Sequence, residues 1–156
     1  MPAYSAILRD LSAERFAEIF AASARKARET YFHRHRIRTP KVAGSGLKVG
    51  RKTEARTAAL HAALAAQDDD EMAEEILRTW LLGRRPLLGA ALDHLGIAHE
   101  EGLTESDDVK KIAELSGAEL KKLVAALRGQ DVAPADDIAI YLKYLGAQEV
   151  DAALAA

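Results

Sequence analysis

Cysteine is absent from the 156 residues. That absence excludes a disulfide framework, a Cys-ligated zinc or iron–sulfur centre and a thiol nucleophile, and it suits a reducing compartment. Long hydrophobic runs are also missing. The best candidate, Thr79–Leu92, is interrupted by Gly83-Arg84-Arg85-Pro86 and falls short of the ~20 apolar residues that span a bilayer. Met1–Arg9 has neither the basic start nor the apolar stretch of a secretory signal. The expectation is a soluble cytoplasmic protein with no membrane partner. No segment alternates apolar and polar residues for long enough to read as a strand.

What is present is ordinary globular material, 49% hydrophobic and 29% charged. The length fits one domain, 1–156, able to bury a core without staples. The formal charge of −2 hides a strong segregation. Between Arg25 and Arg56 stand eleven Lys/Arg and two Glu, a net of +9. Residues 57–156 hold nine basic and nineteen acidic residues, a net of −10. Charge of this kind speaks to partners rather than to fold.

Helical signals dominate. Ser12 reads as an N-cap, with Leu11 and Phe16 as a hydrophobic staple. Phe16, Ile19, Phe20, Ser23, Ala27 and Tyr31 then share one helical face. Continued unchanged, that helix would carry Arg34 onto the apolar face, so it should bend or fray between Tyr31 and Arg36. Pro40–Gly50, with three glycines, reads as a loop. Thr53 reads as the cap of an Ala-rich helix to about Ala66, and Asp68-x-x-Glu71 as a capping box. The next helix carries Met72, Ala73, Ile76, Leu77, Trp80 and Leu81, all read as core, and Gly83 ends it. Pro86 opens a helix stopped by Gly96, and a short helix is expected at Asp107–Leu115. Ser116-x-x-Glu119 boxes a helix ended by Gly129, and Pro134 opens another ended by Gly146. Glu149–Ala155 could add a last turn or two. The expected fold is all-α, a compact domain of six or seven helices with a basic arm at 25–56. Gly83/Pro86/Gly96 and Gly129/Pro134/Gly146 echo one another, but at drifting offsets that argue against a strict repeat.

The basic arm is the most informative segment for function. Tyr31-Phe32-His33-Arg34-His35-Arg36-Ile37-Arg38 interleaves aromatic and cationic residues, the pairing that neutralises phosphates and stacks bases. A helical wheel places Arg25, Arg28, Phe32 and Arg36 opposite Phe16 and Phe20, which predicts an exposed Phe32. The candidate nucleic-acid or phosphate contacts are Arg25, Arg28, Phe32, Arg34, Arg36, Arg38, Arg51 and Lys52. The plainer account has the same segment pairing with the chain's own acidic helices. Gly46–Thr53 fails the phosphate-loop pattern because Arg51 stands where glycine is needed, although amides after Thr53 could hold an anion.

The five histidines lack the i,i+4 spacing of zinc sites and read as solvated or structural. His94 or His99 beside Glu100 and Glu101 is the best acid–base candidate. A concave pocket joining either one to several carboxylates would favour an enzyme. The acidic clusters lack the calcium-loop pattern and fit helix N-termini, and no serine sits in a nucleophile elbow. No cofactor and no metal are expected. Ile140 and Tyr144 point away from the Ile138/Leu142/Leu145 stripe and predict an interface with a partner subunit or the N-terminal arm. The leading reading is a non-catalytic cytoplasmic helical interaction module that could self-associate through a protein partner or homo-oligomer. Nucleic-acid or phosphate binding through 25–56 is the alternative, and an enzyme without a recognisable motif comes third.

Overall fold

The computed structural model describes residues 3–38, 49–105 and 107–155, and for 49–52 the backbone alone. Those residues form an all-helical protein with no strand among them. The helices are α1 (Tyr4–Arg9), α2 (Ala13–Phe20), α3 (Arg25–Arg34), α4 (Val49–Ala66), α5 (Asp70–Leu82), α6 (Arg85–His94), a 3-10 helix (Asp107–Glu114), α7 (Gly117–Gly129), α8 (Ala135–Tyr144) and α9 (Val150–Ala155). The chain divides into two compact units, Ala3–Trp80 and Leu81–Ala156.

In the first unit, α1 and α2 pack against α4. Ser12 caps α2, its hydroxyl accepting from the Arg15 amide at 3.1 Å. The apolar stripe then buries Phe16, Ile19 and Phe20. The single helix expected through Tyr31 is instead two, because the backbone leaves helical geometry around Ser23 and restarts at an extended Ala24. α3 stops at Arg34, within the span where the apolar face would have met a cation.

The expected caps of α4 and α5 are shifted. α4 begins at Val49, so Thr53 lies inside it and its carbonyl accepts from the Thr57 hydroxyl at 2.9 Å. The good helix formers that follow, Arg51, Lys52, Glu54 and Ala55, outweigh the roughly 1 kcal/mol penalty of Gly50. At α5 the cap is Asp69 rather than Asp68, because Asp69 Oδ1 accepts from the Met72 amide at 3.1 Å. The expected core residues of α5 are buried: Met72, Ala73, Ile76, Leu77, Trp80 and Leu81. The Pro40–Gly50 loop lies mostly outside the described residues; Val49 and Gly50 are helical.

In the second unit, α7 packs against α6, α8 and α9, and α8 against α9. Ser116 and Glu119 form the expected reciprocal box at the start of α7. α6 and α8 end alike. Gly96 and Gly146 take left-handed φ of 69° and 88°, and the next amides reach back to Leu92 O and Leu142 O. Their prolines differ: Pro86 sits in the first turn of α6, whereas Pro134 is the N-cap of α8. The echo between these segments is therefore one of helix ends. Arg36 closes α3 in the same way, at φ 57° and with the Ile37 amide on Phe32 O, but without glycine.

Candidate functional site

The basic arm does two different things. Its inward side is neutralised by the protein's own carboxylates. Arg34 Nη2 donates to Asp69 Oδ1 at 3.0 Å, and His35 Nε2 donates to Asp69 Oδ2 at 2.8 Å. Asp69 can serve both because Ser5 holds the same turn. The Ser5 hydroxyl accepts from the Asp69 amide at 2.8 Å, and the Ser5 amide donates to Asp70 Oδ1 at 2.9 Å. Arg56 on α4 grips Glu29 of α3 through two nitrogens, at 3.1 and 3.0 Å. Those hydrogen bonds are the main reason the Glu29 carboxyl titrates below the usual range.

Phe32 is where the expected site changes most. It is 2% exposed, its ring lies 5.4 Å from Phe20, and the Arg56 guanidinium covers it at 4.2 Å. The wheel failed because it ran one phase through the break between α2 and α3. Restarting the helix turned Phe32 from the expected outer face into the core. The arginine–aromatic pairing is real, but it is internal.

The outward side of α3 carries Arg25, Lys26, Glu29, Thr30 and His33, all exposed, along a shallow depression. Arg36 and Arg38 follow, also exposed. Among the described residues, none of Arg25, Lys26, Arg36 and Arg38 is within 4 Å of a carboxylate. Arg28 is half-buried. Arg51 and Lys52 lie in the first turn of α4, and their side chains are outside the described residues.

A second site lies in the other unit. A cleft of about 750 Å3 is lined by Arg85, Ala98, His99, Glu100, Glu101, Leu103, Thr104 and Glu105. It joins His99 to several carboxylates, the arrangement named above as favouring an enzyme. One wall is a tight turn that the sequence analysis did not find. Glu100 and Leu103 exchange both backbone hydrogen bonds, and Glu101 and Gly102 take φ of 51° and 85°, the two left-handed residues of a type I′ hairpin turn. Gly102 is pressed against α6: a Cβ there would lie 2.7 Å from Leu88 Cβ and 3.0 Å from Gly89 N. The available signal was Gly102 next to an acidic residue, weaker than the Asn-Gly or Asp-Gly of most such turns.

The hydrogen bonds of His99 decide what this cleft can do. The Gly102 amide donates to Nδ1 at 2.9 Å, which puts the ring proton on Nε2, where it donates to Asp93 Oδ1 at 2.6 Å. A general base needs a nitrogen lone pair facing substrate. Here that lone pair is occupied by backbone, so His99 fastens the turn to α6. His61 is structural too, bonded to Leu8 O at 2.9 Å and stacked on Phe16. No group of three or more potential metal ligands occurs among the described residues.

Ile140 is 3% exposed within the single chain, and Tyr144 is half-buried. α8 has both α7 and α9 packed on it, so a helix with two apolar faces is explained without a partner subunit. No helix of the described residues is long and apolar enough to cross a membrane. No family model, curated protein or solved structure matches this chain.

Proposed function

We propose that this chain is a non-catalytic helical interaction protein that presents the outward face of α3 to an acidic partner. One observation carries the reading: the basic segment is sorted. Arg34, His35 and Arg56 are committed to Asp69 and Glu29, while Arg25, Lys26, Arg36 and Arg38 stay exposed and have no carboxylate within 4 Å among the described residues. Internal neutralisation supplies the order, and the remaining cations supply the contact surface. The engaged ring nitrogens of His99 support a non-catalytic role. A cytoplasmic location belongs to the same reading and draws on the cysteine-free composition.

Nucleic-acid binding is the second reading, favoured by the same four exposed cations. Its base-stacking component is lost with Phe32 in the core, which leaves phosphate contacts alone. Fluorescence titration at low salt separates the two readings, with a polyglutamate peptide and single- and double-stranded oligonucleotides as probes. The proposed function expects saturable peptide binding that Arg25→Glu with Lys26→Glu abolishes. Oligonucleotide binding whose log K falls by about 0.7–0.9 per contact per log unit of salt would establish the second reading instead. A wild-type protein that stays monomeric and binds no probe at low salt would overturn both.

A further inference from the structure

The α3 face has a counterpart in the other unit. Among the described residues, Leu103 is one of two large hydrophobic side chains left exposed, at 40%. Glu100 pairs with it across the turn, Glu105 follows two residues on, and all three line the cleft. Glu101 is taken up by Arg85 at 2.9 Å, whereas neither Glu100 nor Glu105 has a cation within 4 Å among the described residues. The cleft is thus concave and acidic, with an apolar patch in its wall. The α3 face is cationic, and its Arg and Lys carry long apolar stems suited to cover a leucine. Charge is divided the same way on the larger scale. Residues 3–80 hold fourteen Lys/Arg and eleven Asp/Glu, and residues 81–156 hold eight and thirteen.

We propose that a second copy of this chain seats the outward face of its α3 in the cleft lined by His99, Glu100, Leu103 and Glu105. The inference rests on the interaction-module reading and names its partner. Arg25 and Lys26 of one copy meet Glu100 and Glu105 of the next, with Leu103 beneath their stems. The two surfaces differ, so reciprocal seating closes a two-fold dimer and one-way seating builds rings or open chains. A one-way assembly keeps one free α3 at one end and one free cleft at the other until it closes.

Sedimentation velocity on the full chain, over a range of concentrations at low and high salt, tests this. Association should grow with concentration and weaken with salt. Arg25→Glu with Lys26→Glu, and separately Glu100→Lys with Glu105→Lys, should each raise the apparent Kd by about tenfold or more. Mixing the two variants should restore assembly, because the reversed cleft accepts the reversed helix and the two unaltered surfaces pair as before. Leu103→Ser should weaken association without this rescue. All five positions are exposed, so circular dichroism and the thermal melt should hold. A wild-type monomer at every concentration in low salt, or an assembly indifferent to both charge reversals, overturns the proposal. Polyglutamate binding at α3 in a monomeric protein would reject the second copy while leaving the interaction function standing. A protein that neither assembles nor binds the peptide would reject both.

Discussion

Asp69 accepts from His35 Nε2 at 2.8 Å, with the two side chains 9% and 7% exposed. This pair, with Arg34 on the other carboxylate oxygen, ties the end of α3 to the start of α5. Asp69→Ala removes the cap and strands a buried imidazole, and should cost about 2–4 kcal/mol in urea denaturation. Asp69→Asn keeps an acceptor for the cap and should cost clearly less. Equal losses would mean that charge, rather than hydrogen bonding, holds the joint.

Phe32→Ala should behave as a core deletion. With the ring 2% exposed against Phe20 and Arg56, a loss of about 3–5 kcal/mol is expected in the same measurement. Trp80→Ala should fall in the same range, since Trp80 is 3% exposed beneath the Arg15 guanidinium. A melt that hardly moves for either variant would contradict its placement.

Arg36 and Gly102 offer opposite backbone tests. Arg36 holds φ 57° without glycine, so Arg36→Gly should stabilise by about 0.5–1 kcal/mol. Gly102→Ala combines a left-handed φ with a Cβ 2.7 Å from Leu88, whereas Gly96→Ala meets nothing within 4 Å. Gly102→Ala should therefore destabilise by more than the roughly 1 kcal/mol expected at Gly96. Thermal melts of the three variants give the ranking directly.

Tyr141 sets an alkaline limit on stability. Burial pushes its hydroxyl up to about 12, against roughly 10 in an unfolded chain. Folding therefore favours the neutral form. The stabilisation is complete below pH ~10 and is lost as pH rises through the folded value. Tyr31 moves the same way, through burial and then through its hydrogen bond to Glu75. Tyr141→Phe should flatten the decline in a pH series of melts between about 10 and 12. An unchanged slope would place the alkaline transition elsewhere.

Much of the helical pattern was legible in sequence because its causes are local. The Ser12 cap, the Ser116/Glu119 box, the left-handed glycines at 96 and 146 and the α5 stripe each depend on residues a few positions apart. The expected stop after Tyr31 was also local, since an arginine was due on an apolar face. The misplacement of Phe32 came from carrying one helical phase across a break that no glycine or proline announces. The Glu101–Gly102 turn was missed because its tightness comes from α6 pressing on Gly102, more than ten residues earlier in the chain.

By itself, the amino-acid order determined an all-α chain, the principal helix ends, the α5 core and a sharply segregated charge. These follow from spacing, capping chemistry and composition, which act over one or two turns. Only the tertiary structure decided which cations are used up. Arg34 and His35 meet Asp69, and Arg56 meets Glu29 across 27 positions, because separate helices are brought side by side. Charge is a property of each residue, but neutralisation is a property of distance, and distance between helices is set by how their apolar faces pack.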